Sequence, residues 1–145
     1  SAFKAFEPHV NAANCLEILA CARRLRLHES LTKAAETCVR AHFEEVRMRR
    51  QFLQIDGTFM HSLVADPCLG KRNEQSVFEA TVSWLSAQQP PPSPEETRML
   101  LERIKYNEMP VDYVRGTVLR HPTILAHPDR HGLLLESFLS AAVSS

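Results

Sequence analysis

Apolar residues recur along this chain at intervals of three and four, and nowhere do they alternate for long. The pattern predicts helices throughout and no sheet. Asn11 stands where it can cap a first helix over 12–25. Cys15, Ile18, Leu19, Ala22 and Leu25 form its stripe, Leu16 and Ala20 widen it, and Glu17 and Arg24 mark the wet side. Ser30 is placed to cap a second helix over 31–46. There Leu31, Ala34, Ala35, Cys38, Val39 and His42 share one face, with Lys33, Glu36 and Arg40 off it. Met48, Phe52 and Ile55 predict a short helix that Gly57 ends, and Thr58 is expected to cap another carrying Phe59, Leu63 and Val64.

Asp66-Pro67 and a polar loop at 70–73 interrupt the chain. A helix over 74–86 then carries Val77, Phe78, Thr81, Val82 and Leu85 beside Trp84, and it is the most hydrophobic candidate for the centre. Gln88-Gln89-Pro90-Pro91-Pro92 reads as a surface loop, because proline has no amide donor and restricts the residue before it. Ser93-Pro94-Glu95-Glu96 is the clearest helix start: a serine cap, proline at the first helical position, and a glutamate placed to complete a capping box. Leu100, Leu101 and Ile104 line that helix. Pro110 opens another with Val111, Val114 and Val118 on one face, and His127-Pro128-Asp129 opens the last, with Leu134, Leu135, Phe138, Leu139 and Ala142 inward. The expected fold is all-α: about eight helices stacked as antiparallel pairs, in one domain over residues 1–145.

Charge narrows the partners. Lys plus Arg and Asp plus Glu are both 17, so no net field draws the chain to nucleic acid or an anionic membrane. No apolar run approaches bilayer-spanning length, and no signal-peptide pattern opens the chain. The first residue is Ser1 rather than Met, which reads as a piece of a longer protein. Cys15, Cys21 and Cys38 sit among apolar helical residues and, with Cys68, form no C-x-x-C pair. They read as reduced thiols, which favours cytosol or nucleus.

The residues that invite chemistry also have packing roles open to them. His127 and His131 are four apart, but no third ligand stands with them and Pro128 places His127 at or before a helix start. A zinc site needs three or four ligands, so no metal is expected. No G-x-S-x-G elbow or glycine-rich phosphate loop is present, and thiols on the apolar stripes at Cys15 and Cys38 are expected to be inert through burial. Two basic groups, Arg23, Arg24, Arg26 and Arg47, Arg49, Arg50, lie near Glu29, Glu44 and Glu45 without interleaved aromatics. They suit solvated faces or the rim of a protein interface better than a nucleic-acid site. No catalytic residue and no cofactor are expected. The apolar surplus of the first helical pair leaves two readings open: a face once covered by a neighbouring domain, or an internal stripe on both sides.

Two motifs carry a resemblance. Asn14-Cys15-Leu16-Glu17-Ile18, followed by Ala20, Ala22, Leu31, Ala35 and His42-Phe43-Glu44-Glu45-Val46, resembles the opening of a BACK domain. Glu74-Gln75-Ser76-Val77-Phe78-Glu79-Ala80 with Trp84 is similar to a second signature of that family, in the same order and at similar spacing. Leu133-Leu134-Leu135-Glu136 adds to the likeness.

The resemblance implies a place in BTB-Kelch adaptors of cullin-3 ubiquitin ligases. Residues 1–10 would lead in from a BTB domain, 11–46 would form the helical pair called the 3-box, and 47–145 the rest of the helical stack. With BTB, the 3-box would offer cullin-3 a groove, for which Cys15, Leu16, Ile18, Leu19 and Leu31 are the candidate residues. A Kelch domain would take the substrate, and dimerisation would belong to BTB. The expected role is therefore that of a non-catalytic spacer and interaction module. The alternatives are a BTB scaffold or transcriptional regulator outside ubiquitination, and an unrelated small helical enzyme, which would need a polar cleft with perturbed titratable groups.

Overall fold

The structure, a computed structural model, describes residues 10–25, 29–128 and 132. Among the described residues it has eight α-helices and no strand, so the chain is all-α as its spacing predicts. The chain divides into two compact units, residues 1–72 and 73–145.

The first unit begins with a capping box that the sequence shows only in half. Asn11 Oδ1 accepts from the amides of Ala13 and Asn14 at 2.9 and 3.1 Å, and Asn14 Oδ1 accepts from the Asn11 amide at 2.8 Å. This turn feeds α1, Cys15–Arg24. Helix α2 follows at Glu29–Ala41. Ser30 lies inside its first turn rather than capping it. The two helices pack against each other across a short connection, so they run antiparallel. Their shared face is narrower than the pattern predicts. Cys15, Leu16, Leu19 and Ala22 are buried with Leu31, Ala35 and Val39, whereas Ile18, Ala34 and Cys38 are half-buried and His42 is exposed. Leu25, expected inward, is 59% exposed at the helix end.

The helix expected to run on to 46 breaks at His42, whose φ and ψ of −115° and 35° leave helical geometry. A short α3, Phe43–Val46, starts in a new direction. The break swings Phe43 into the core, where its ring meets Phe52 edge-on at 5.9 Å. Phe52 lies on a 3₁₀ turn, Arg50–Gln54, in place of the predicted short helix. Phe52 and Ile55 are buried there, and Met48 points outward. Helix α4, Gly57–Ala65, buries Phe59, Met60, Leu63 and Val64. Its cap is Asp56, whose carboxylate accepts from the Phe59 amide at 2.7 Å, so Thr58 sits inside the first turn. Gly70 has a φ of +55°, and a Cβ there would approach the Arg40 carbonyl at 3.4 Å, so the turn that closes this unit suits glycine.

In the second unit, Asn73 caps α5, Glu74–Ala87, by accepting from the Ser76 amide. Val77, Phe78, Ala80, Thr81, Val82, Trp84 and Leu85 are all buried, as befits a central helix. Gln88 ends it: its side-chain amide donates to the Trp84 carbonyl at 2.8 Å, one of the last-turn carbonyls left without a helical donor. Ser93 caps α6, Pro94–Leu101, with its hydroxyl accepting from the Glu96 amide at 3.2 Å. A 3₁₀ turn at Tyr106–Glu108 follows. It buries Tyr106, whose hydroxyl donates to the Leu101 carbonyl at 2.8 Å.

Pro110 precedes α7, Val111–Tyr113, which passes directly into a π turn at Val114–Val118. Val114 and Val118 are buried, but Val111, expected on the same face, is 62% exposed. A further helix, α8 at Pro122–Ala126, was not expected from the pattern. Its cap is His121, whose Nδ1 accepts from the Thr123 amide at 3.2 Å. His127 closes this helix. The predicted last helix lies outside the described residues.

Candidate protein-binding cleft on the first helical pair

The first unit carries an open cleft of about 700 Å³ beside α1. Leu16, Leu19 and Ala20 supply its α1 wall, and Ile55 the opposite apolar wall. Arg23, Arg24, Glu17 and Asp56 give it a charged rim. The cleft is therefore amphipathic: an apolar floor with both signs of charge at its edge. That composition suits a protein segment better than a small polar substrate.

A cross-braced ion network shapes one end. Arg23 of α1 donates to Glu36 of α2 at 2.7 Å and also to Asp56, the cap of α4. Its guanidinium lies over the Phe59 ring, 5.1 Å from the centroid. Arg40 of α2 lies over the same ring at 5.8 Å and donates to Asp66 at 2.9 Å and to the Ser62 hydroxyl at 2.9 Å. Asp66 is desolvated, which pushes its carboxyl up. Hydrogen bonds from the Cys68 amide and Arg40, with the charges of Arg40 and Arg72, more than offset this and hold it below its ordinary value. The two arginines thus tie α1, α2 and α4 together through one aromatic side chain.

Of the candidate groove residues, Leu16 and Leu19 line this cleft. Cys15 and Leu31 are buried between α1 and α2, and Ile18 is half-buried away from the cleft lining. Sequence reasoning missed the contribution of Ile55 and Asp56. The only signal for it was the acidic side chain three residues before Phe59, a capping spacing. The pairing of Arg23 with Asp56 across 33 positions left no local trace.

The residues with chemical promise are placed in packing roles. Burial, reinforced by the adjoining Cys38 thiol, pushes the Cys15 thiol up to about 12, which makes it a poor nucleophile. His127 is buried with Nε2 at 2.9 Å from the Pro94 carbonyl, and His131 lies outside the described residues. In the basic groups, Arg47 pairs with Glu44 at 2.9 Å, Arg24 is exposed on the cleft rim, and Arg26 is outside the described residues. No helix among the described residues is long and apolar enough to cross a membrane.

An antiparallel opening pair, a break at His42 that turns Phe43 inward, and a buried helix carrying Val77, Phe78 and Trp84 define a helical BACK-type domain. The chain belongs to the BACK family: the family model, described as BTB And C-terminal Kelch, matches residues 15–119. Among curated proteins it is 30% identical over 120 residues to Kelch-like protein 7 of Rattus norvegicus, covering 83% of this chain and 20% of that protein. It is 31% identical over 134 residues to Kelch-like protein 35 of Homo sapiens, covering 90% and 22%. It is 26% identical over 143 residues to Kelch repeat and BTB domain-containing protein 12 of Danio rerio, covering 94% and 23%. The chain spans about a fifth of the length of these relatives.

Proposed function

We propose that this BACK domain is the non-catalytic helical spacer of a BTB-Kelch-type adaptor for a cullin-3 ubiquitin ligase. In this reading, with a BTB domain it contributes to cullin-3 binding, and it holds a substrate-binding Kelch domain in position. The observation that carries the reading is the cleft floored by Leu16 and Leu19. It lies within residues 11–46, the region that resembles a 3-box. Family membership and the Kelch-like relatives support the same placement. A helical body suits the role physically, since a flexible tether would spread its ends over a broad range of distances. Work of this kind belongs in the cytosol or nucleus, where the exposed Cys68 stays reduced.

The test is calorimetric titration of the parent protein's BTB-plus-BACK fragment with the N-terminal domain of cullin-3. Ala20→Glu places a charge on an exposed position of the cleft wall and spares the core. The reading expects binding by the natural fragment and a loss of about tenfold or more in the variant, the scale of a contact worth ~1.4 kcal/mol. Unchanged affinity in a folded Ala20→Glu fragment removes the cleft from the interface. No binding by the natural fragment removes the adaptor reading.

A further inference from the structure

The proline-rich segment between α5 and α6 belongs to the second unit, and it holds the only Ser-Pro or Thr-Pro step in the sequence, Ser93-Pro94. Its backbone follows from its composition. Proline restricts the residue before it to extended geometry, so Pro90, Pro91 and Ser93 are all held out of the helical region. Ser93 accordingly has φ and ψ of −64° and 158°, and residues 91–93 form no helix. Pro90, Pro91, Ser93, Pro94 and Glu95 are exposed. The Ser93 hydroxyl oxygen accepts from the Glu96 amide at 3.2 Å, a bond that lies at the surface. Ser83 and Ser86 are exposed too, but they lie within α5, where helical backbone would have to unwind before an enzyme could take them.

We propose that Ser93 is a phosphoacceptor for a proline-directed protein kinase. Such an enzyme takes its substrate as an extended strand and seats the residue after the acceptor in an apolar pocket. Pro94 suits that pocket because it brings no amide proton to be left unpaired there. The segment is extended before it docks, so little ordering remains to be done on binding. Freeing the Ser93 hydroxyl breaks a single surface cap bond, and the first-turn amides of α6 have no helical acceptor to lose. In the transfer, Ser93 Oγ bonds to the γ-phosphorus of a magnesium-bound nucleoside triphosphate. The bond from that phosphorus to the β,γ-bridging oxygen breaks, and the diphosphate leaves. The hydroxyl proton passes to the carboxylate base of the kinase. The product places a charge of about −1.5 to −2 on a chain whose net charge is otherwise zero. Glu95 and Glu96 of the first turn oppose that charge, whereas the N-terminal end of α6 favours it, and the phosphate oxygens can take over the cap from the hydroxyl.

The test incubates the full natural chain with a purified proline-directed kinase and magnesium ATP. Phosphate per chain is read by intact mass, and its position by peptide mapping. A synthetic peptide spanning residues 87–99 is the unstructured reference. The expected result is one phosphate, on Ser93, at a rate within about tenfold of the peptide's, the margin that one broken cap bond allows. Ser93→Ala abolishes incorporation and Ser86→Ala leaves it unchanged. Pro94→Ala lowers the rate about tenfold or more, because the alanine amide is left unpaired in the apolar pocket. All of these positions are exposed, and circular dichroism checks that each variant folds. The proposal is overturned by a folded chain that falls short of the peptide by more than that margin, or by no phosphate on either. Phosphate taken on another hydroxyl in preference overturns it as well, as does a rate that Pro94→Ala does not change.

Discussion

The guanidinium of Arg23 stacks on Phe59, 5.1 Å from the ring centroid, while its nitrogens pair with Glu36 and Asp56. One side chain therefore joins three helices of the first unit. Its stacking contact is a cation–π interaction of about 0.5–1 kcal/mol at a partly exposed site. Each partly exposed ion pair adds roughly 0.2–1 kcal/mol. Arg23→Ala is expected to cost about 1–2 kcal/mol in urea unfolding. Arg23→Lys should recover part of this, since an ammonium keeps the charge but loses the planar stack and the fork. A loss below ~0.3 kcal/mol for the alanine variant would show the network to be ornamental, since surface substitutions commonly fall within that range.

The start of α4 gives a sharper comparison, because two neighbouring residues compete for the capping role. Asp56 accepts from the Phe59 amide at 2.7 Å, and Thr58 lies exposed inside the first turn. Asp56→Ala removes the cap as well as the partner of Arg23, so it is expected to cost about 1–2 kcal/mol. Thr58→Ala is expected to be neutral or slightly stabilising, because alanine favours a helix interior. The reverse order of the two variants in denaturant melts would restore threonine as the cap.

That competition also shows what the chain makes legible. Ser93, Asn11 and the apolar run from Val77 to Leu85 announce their elements locally, and the structure builds those elements. The break at His42 is different, because residues 31–46 keep a helical period across it. Only the later pairing of Phe43 with Phe52 rewards the turn. Helix α8 is five residues long, too short for a period to emerge, and its cap is a histidine, a residue outside the usual set. In the cleft, Leu16 and Leu19 were visible as an apolar surplus. Ile55 and Asp56 were not, since they reach the site from another element by tertiary packing.

The histidine cap predicts a pH dependence. His121 Nδ1 must be unprotonated to accept from the Thr123 amide, and burial against the edge of Phe78 holds its pKa below the ordinary 6.5. Folding thus favours the neutral ring. This contribution is complete above pH 6.5 and is lost as pH falls through the folded value. Asp66 does not confuse the reading, because its lowered carboxyl gives up stability only below 3.8. Urea midpoints measured between about pH 7 and 5 should fall for the natural chain. His121→Asn keeps a cap acceptor that does not titrate, so its curve should be flatter. Parallel curves for the two chains would show that the His121 ring contributes nothing to the slope.

The π turn after α7 separates two valines that the sequence places together. Val118 has no exposed surface, whereas Val111 is 62% exposed. The Leu119 amide donates to the Val114 carbonyl, so the hydrogen bonding skips one residue more than in an α-helix, and the turn widens where Val114 and Val118 enter the core. Val118→Ala removes buried carbon and leaves a cavity, at a cost of about 2 kcal/mol. Val111→Ala removes carbon that already faces solvent, and should change stability by less than ~0.5 kcal/mol. A single continuous α-helical face would bury both valines and make the two substitutions similarly costly. Equal losses in denaturant melts would therefore argue for the regular helix, and unequal ones for the widened turn.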